Sequence, residues 1–149
     1  MKSIFNPYYN AELIDRINRL SAATPPIWGK MNSAQMMAHM RVGLNIAFGN
    51  TPRRFHWIGL FLGWAGKYRL LKNGDFDRNM PTFKEAEITG LRDFDDEKEK
   101  LTALIKSALL ITKEGLVKYP HPYFGTFKND EWARLNWKHF DHHLRQFGV

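Results

Sequence analysis

The C-terminal segment of the chain constrains the fold most, because its apolar residues and two of its histidines recur at helical spacing. At about 100° per residue, His139 and His143 lie about 40° apart around a helix. Three more side chains lie within about 40° of His139, namely Trp132, Leu135 and Gln146. The spacing therefore predicts an amphipathic helix that turns both imidazoles inward. Such a pair is a usual way to present two nitrogens to one divalent ion.

A third histidine is predicted to face inward from another helix. Asn32 or Ser33 is a suitable N-cap for that helix, and Gln35 stands near the third position of a capping box. His39 lies on the same side as the apolar residues of this helix, and Gly43, one turn on, leaves space beside it. His39 is therefore the best outside partner for the C-terminal pair.

The remaining histidines leave alternatives open. His142 competes with His143, because an i, i+3 pair with His139 is also feasible geometry. His121 lies in a turn between prolines, where a partly exposed loop residue is the plainer interpretation, and His56 receives no role. Helical spacing alone is compatible with a metal site and with core histidines that bond to their neighbours.

The chemistry of such a site is limited by composition. The chain has no cysteine, so its ligands must be His, Asp, Glu or water. Three neutral imidazoles with open coordination positions bind Zn, Ni, Fe or Mn as divalent ions. The open positions admit water or a substrate, whose pKa the metal lowers.

The apolar periodicity predicts an all-α fold, and no stretch alternates as a strand would. Four long helices are expected, with a helical insertion between the second and third. Their bounds are residues 11–20 with Asn10 as N-cap, 33–48, a helix from Asp93 or Asp95 to Gly115, and a last helix capped by Asn129 or Asp130.

The insertion covers residues 53–72, where basic residues flank an aromatic and aliphatic run. It is predicted to be a helix or broken helix. A lid or a membrane-surface helix is one interpretation, and a connector with a basic outer face is the preferred one. Residues 73–90 are predicted to form a long loop, of a length that is often functional.

Length and composition predict one globular domain over residues 1–149, with 44% hydrophobic and 14% aromatic residues. No apolar run is long enough to span a bilayer, so a soluble, cytoplasmic protein is expected. The net charge of +7 permits binding to nucleic acid. The basic residues are scattered along helices, however, and a nucleic-acid partner is not expected.

Several blocks of the sequence together resemble the DinB-like superfamily, and within it a bacterial branch that has a proline-aromatic turn before the last helix. The resemblance covers essentially the whole chain and is weakest over residues 50–92. It is carried by Trp28-Gly29-Lys30-Met31-Asn32, Gln35-Met36-x-x-His39-Met40, His121-Pro122-x-Phe124-Gly125 and Trp132-x-x-Leu135-x-x-Lys138-His139-x-Asp141-His142-His143-x-x-Gln146-Phe147.

The resemblance implies a four-helix bundle that holds one divalent metal with one histidine from the second helix and two from an HxxxH motif in the last. The matching residues are His39, His139 and His143, so the resemblance selects His143 over His142. Related members include thiol S-transferases that act with low-molecular-weight thiols and a maleylpyruvate isomerase. Members are often dimers, so a homodimer is expected, while the fold alone assigns no reaction.

The sequence thus predicts a metal-dependent enzyme of the thiol-transfer or hydrolytic kind, acting on a small molecule with or without a low-molecular-weight thiol. No carboxylate is clearly placed as a general base, which favours thiol transfer because a metal-bound thiol loses its proton directly. The alternative is a non-enzymatic module that binds a metal or small molecule. Four side chains are predicted to support the ligands or line the pocket: Gln146, Gln35, His142 and Trp132.

Overall fold

A computed structural model describes most of the chain. The described residues are 2–50, 58–72, 74–80, 82, 84–111, 120–121 and 123–149, without the side chains of 58–62. They form five α-helices: α1 (Pro7–Asn18), α2 (Ser33–Ala47), α3 (Ile58–Leu71), α4 (Phe94–Ser107) and α5 (Asn129–Gln146). Two short 3-10 turns, Lys84–Ala86 and Ala108–Leu110, accompany them. No strand occurs in these ranges, so the predicted all-α class is confirmed.

Helix α1 begins earlier than predicted. Asn6, not Asn10, is its N-cap: the Asn6 side chain accepts two backbone N–H groups of the first turn, and Pro7 occupies the first helical position. Asn10 is buried inside the helix, where its amide donates to the carbonyls of Ile4 (2.9 Å) and Ile105 (2.7 Å). The prediction for Asn10 was wrong because a buried partner on α4 outweighs its capping tendency.

Helix α2 has the predicted capping box. The Asn32 side chain accepts the N–H of Gln35 (2.8 Å), and the Gln35 side chain accepts the N–H of Asn32 (3.0 Å). The helix ends at Ala47, one residue before the predicted end, with Phe48 as C-cap. This start fixes the helical phase that directs His39 towards the interior.

Helix α3 confirms a helix within the predicted insertion, while residues 53–57 lie outside the described residues. Two glycines allow it to approach the turn before α5 closely. A Cβ at Gly63 would lie 3.1 Å from the carbonyl oxygen of Tyr123, and one at Gly66 would lie 2.5 Å from Cε1 of Phe124. The glycine face of α3 therefore packs on this turn.

Helix α4 starts as predicted but ends early. Asp93 caps it by accepting the N–H of Asp96 (2.8 Å). The predicted end at Gly115 was wrong, because the α-helix stops at Ser107 and tightens into the second 3-10 turn. Leu110 is 84% exposed, so continuing the apolar stripe would bury little surface there. Residues 112–119 lie outside the described residues.

Helix α5 begins at Asn129, so neither predicted cap holds that position. Lys128 is the residue before the helix, and its backbone N–H donates to the Glu131 carboxylate (2.7 Å). The capping interaction comes from within the first turn, and for that reason the choice of Asn129 or Asp130 as cap was wrong.

The packing of the helices places α2 and α5 side by side. Helix α2 contacts α4 and α5, α1 also contacts α4 and α5, and α3 packs on α5. The predicted loop over residues 73–90 crosses α2, where its 3-10 turn makes contact. Within the described ranges, no helix combines the length and apolar character that a bilayer crossing requires.

Candidate metal centre

Three histidine rings meet where α2 packs against α5. Nε2 of His139 lies 3.0 Å from Nε2 of His39 and 3.1 Å from Nε2 of His143. The ligand atoms of all three residues lie within 4.8 Å of one another. We call these three residues the triad. The structure therefore brings together the three residues that the sequence predicted as ligands.

Hydrogen bonds at the far side of two rings fix where their protons lie. Nδ1 of His39 is 2.8 Å from the carbonyl oxygen of Ala86, and Nδ1 of His143 is 2.8 Å from Oε1 of Gln146. Both oxygens only accept, so each Nδ1 donates a proton. In the neutral rings, Nε2 then presents a lone pair towards His139.

The orientation of Gln146 is itself fixed. Its Nε2 donates to the carbonyl oxygen of Trp28 (2.6 Å), which leaves Oε1 to face His143. Gly29 adopts a positive φ of 84°, and a Cβ there would overlap the Gln146 amide. The turn before α2 thus holds the amide that orients a triad ring, as hydrogen-bond partners of metal-binding histidines commonly do.

The arrangement of nitrogens fits a cation. With His39 and His143 both presenting lone pairs, a single N–H on His139 can satisfy only one of them. A divalent ion bonded at ~2.0–2.1 Å to imidazoles brings their nitrogens to about 3 Å from one another. Nε2 of His139 already lies at such a separation from Nε2 of His39 and from Nε2 of His143. The three histidines could therefore hold a metal ion.

The electrostatics keep the triad in the form that binds metals. Burial lowers the pKa of His143 to about 3 and holds the pKa of His39 below its ordinary value of 6.5 against the opposing bond to Ala86. Burial also lowers the pKa of His139 well below 6.5, with the neighbouring His143 and His39 adding to the shift. Neutral imidazole is the ligating form, so these rings need no deprotonation at neutral pH.

The other residues predicted for the site lie around the triad or farther away. His142 is buried with its ring against Trp28 and the loop residue Phe76 (both centroids at 5.8 Å). Gln35 donates to backbone carbonyls of the loop after α3. Trp132 lies two turns before His139 on α5 and packs against other aromatic rings.

His121 belongs to that second aromatic group and not to the triad. Its ring lies 4.6 Å from Phe124, 5.7 Å from Phe127 and 5.5 Å from Trp132, measured between centroids. Nδ1 accepts the backbone N–H of Tyr123 (3.2 Å). Burial lowers the pKa of His121 to about 4. The His121 ring is thus partly buried and packs against aromatic side chains.

Sequence patterns missed the contribution of the loop after α3. Phe76 lies beside His139, with ring centroids 6.5 Å apart, and the loop carbonyl of Ala86 bonds His39. Asp75 joins the loop to α5 through two bonds from Arg145 (2.5 and 2.7 Å). The length of the loop suggested a role, but a main-chain carbonyl has no sequence signal that identifies it as a partner.

Comparison with known proteins gives the family of the chain. No curated protein and no solved structure shows a significant match. These comparisons do not link the chain to the DinB-like superfamily, so that resemblance stays a prediction. A family model described as "Protein of unknown function (DUF1569)" matches residues 9–148. Because this match spans nearly the whole chain, the protein belongs to the DUF1569 family.

Proposed function

We propose that the chain is a divalent-metal protein with a DinB-like four-helix bundle. The bundle would consist of α1, α2, α4 and α5, with α3 and the loop after it as the insertion. The contacts of α2 with α4 and α5, and of α1 with the same two helices, support this arrangement. The DinB-like fold places its metal ligands on the second and last helices, which here carry the triad.

The observation that carries the metal assignment is the convergence of three Nε2 atoms with only one proton available among them. Two of the rings are fixed in the ligating tautomer by Ala86 and Gln146. An all-imidazole set suits Zn, Ni, Fe or Mn. His39, His139 and His143 would each supply one nitrogen and leave positions open for a small molecule.

Thiol transfer is the reaction that the surroundings favour. A bound divalent ion lowers the pKa of a thiol or water that it binds. Among the described residues, no carboxylate joins the triad, and the nearby Asp75 and Asp141 are engaged by Arg145. Hydrolysis would need a general base that these residues do not supply. A low-molecular-weight thiol would act as co-substrate, with a homodimer as the assembly.

One observation favours a non-enzymatic binding module as the second candidate. Two grooves of the described surface lie away from the triad, one along α1 and one between α3 and α5. Phe76 and the loop cover the triad on one side. A metal site that a loop covers on one side fits a structural or sensing role, which predicts metal binding without turnover.

Metal content tests the proposal directly. The full chain would be purified without an affinity tag or chelating column, and its metals measured by mass spectrometry beside His39→Ala and His143→Ala. We expect close to one equivalent of Zn, Ni, Fe or Mn in the parent and almost none in either variant. His121→Ala is the matched control, since it removes a partly buried histidine outside the triad and should keep the metal.

The outcomes separate the candidates. Metal in the parent, loss in both triad variants and turnover of thiols with electrophiles would support the enzyme. The same metal pattern without turnover would favour the binding module. A parent that holds no metal and takes none up on addition would overturn both.

A further inference from the structure

Part of the loop after α3 is weakly held on the surface of the protein. We call residues 74–80 the cover segment. Six of its seven residues are exposed, and Phe76 is the partly buried one. Among the described residues, no backbone–backbone hydrogen bond joins it to a helix. A segment with so little buried apolar surface opens at a lower cost in free energy than the core does.

Charged side chains fasten the cover segment to the helices beside it. Asp75 pairs with Arg145 on α5, and Asp77 pairs with Arg69 on α3. Both pairs are exposed, since the side chains of Asp75 and Asp77 expose 67% and 62% of their surface. Exposed ion pairs contribute little to stability and are screened by salt. These pairs can therefore break and re-form while the core stays folded.

Two cation–π contacts complete these attachments. Nζ of Lys138 lies 4.4 Å from the centroid of the Phe76 ring, and Cζ of Arg78 lies 4.3 Å from that of the Trp28 ring. Contacts of this kind are weak where water reaches the cation. Arg78 is exposed, so its contact also adds only modestly to the attachment.

The backbone near both ends of the cover segment is left-handed. Gly74 has a φ of 106° and Asn79 a φ of 59°. Gly adopts such angles without steric cost, and Asn does so more readily than most other residues. A Cβ at Gly74 would meet no atom of the described residues within 4 Å. A change of φ and ψ at these two positions could move the residues between them as a unit.

Phe76 lies on the side of the triad that solvent can reach. His39 and His143 are buried, whereas His139 is partly exposed. The centroid of the Phe76 ring lies 6.5 Å from that of His139 and 5.8 Å from that of His142. An ion or a small molecule that approaches the triad past His139 therefore meets this phenyl ring.

The later part of the same loop is held more firmly. Ala86 is buried, and its carbonyl bonds His39. The Gln35 amide donates to the carbonyls of Thr89 (3.3 Å) and Gly90 (3.2 Å). One part of the loop thus orients a ring of the triad, and another part can move without disturbing that ring.

We propose that the cover segment opens and closes over the triad and so controls access to it. Opening breaks the two exposed ion pairs and lifts the Phe76 ring away from His139. The bonds of His39 and His143 to Ala86 and Gln146 remain. The inference rests on the proposed metal site, since it describes how that site is reached.

Carbethoxylation of the metal-free full chain tests this movement without a metal. Diethyl pyrocarbonate attacks neutral imidazole, and burial lowers the pKa of His139 well below 6.5. Tandem mass spectrometry follows the modification of His139 at pH 7. Asp75→Asn keeps Phe76 but removes an ion pair, so the rate should rise about threefold. Phe76→Ala removes the covering ring and should react fastest, whereas added salt should speed the parent more than Asp75→Asn.

Asp96→Asn is the matched control, because it removes a similarly exposed ion pair with Lys100 on α4. It should react like the parent, and all variants should keep the parent's helical circular dichroism. The proposal is overturned if His139 reacts at the parent's rate in Asp75→Asn or in Phe76→Ala. A fixed cover would give the first of these results.

Zinc exchange separates this proposal from the metal assignment. In Asp75→Asn, uptake of zinc and its release to excess chelator should both accelerate about threefold, so the dissociation constant should stay nearly unchanged. Zinc binding with parental rates of uptake and release in this variant would overturn the proposal. A parent that binds no zinc while His139 reacts faster in Asp75→Asn would overturn the metal assignment and support the movement.

Discussion

Two groups of buried or partly buried histidines lie along α5, and they differ in what their nitrogens face. In the triad, three Nε2 atoms face one another, and the Nδ1 atoms of His39 and His143 bond to oxygen. Beside the first turn of the same helix, His121 packs among aromatic rings and accepts one backbone N–H. Burial lowers the pKa in both groups.

The comparison of His121 with the triad shows that burial and a lowered histidine pKa do not by themselves identify a metal site. Both follow from removing an imidazole from water. The direction of the lone pairs separates the groups: His121 has its acceptor nitrogen already satisfied, whereas the triad has more acceptors than protons. Experiments on the triad, on His121 and on their neighbours test this difference.

The largest effect is expected for His139→Ala, which removes the nitrogen between the other two. Metal affinity should fall by at least about 100-fold, because two imidazoles remain. Saturating Zn should therefore raise the melting temperature of the parent by roughly 5–10 °C and leave the variant unchanged. Differential scanning calorimetry measures both. Equal stabilisation of parent and variant would contradict the assignment.

A comparable effect is expected for the pH dependence of the metal-free protein. The unfolded His121 takes up a proton below about pH 6.5, but burial holds its folded pKa at about 4. The unfolded state thus binds more protons in this window, so stability falls as pH falls from 6.5 to about 4. His121→Gln should remove roughly 3 kcal/mol of this loss.

Urea unfolding of the metal-free parent and of His121→Gln at pH 7, 5.5 and 4 checks this result. In both proteins the triad also lowers the free energy of unfolding as pH falls. The difference between their plots of unfolding free energy against pH therefore isolates the contribution of His121. Parallel plots for the two proteins would show that the His121 ring is not kept neutral by its aromatic surroundings.

A smaller effect is expected for Gln146→Ala, which removes the acceptor that orients His143. Loss of such a partner lowers metal affinity about 10–100-fold, measurable by competition with a chromophoric chelator. Gly29→Ala should act in the same direction, because its Cβ would displace the same amide. Gln146→Glu retains an acceptor and should lose less. If metal affinity is unchanged in both alanine variants, the Gln146 amide does not support the metal site.

The smallest effect is expected for His142→Phe. His142 is buried between Trp28 and Phe76, so by its surroundings it belongs with His121 as a packing residue. Metal affinity should change by less than about threefold. Removing a hydrogen-bond partner of a ligand typically costs about 10–100-fold, and His142 is expected to be neither a ligand nor such a partner. A loss as large as that of His139→Ala would place His142 among the ligands.

The part of the site that depends on helical phase could be predicted from the sequence. The spacing of His139 and His143 and the capping box at Asn32 together set which rings face inward. It failed where tertiary contacts decide, as with Asn10, whose buried bond to the carbonyl of Ile105 overrides its capping tendency.

The supports of the triad were less accessible to sequence reasoning. The carbonyl of Ala86 acts through the backbone path of a loop, and no side-chain pattern encodes that path. Gln146 was predicted as a supporting residue from its position one turn after His143, but its hold on Trp28 depends on how the turn before α2 folds.

The bond from His39 to a main-chain carbonyl has a consequence for how this fold could be diversified. Because the acceptor is a backbone atom, an exposed side chain on the 3-10 turn, such as that of Lys84, can be varied while the carbonyl of Ala86 stays in place. Substitutions there would change the outer surface of the turn without altering the triad. The contact with the triad and the variable outer surface of this turn are thus encoded separately, the first by a backbone atom of Ala86 and the second by side chains of its neighbours.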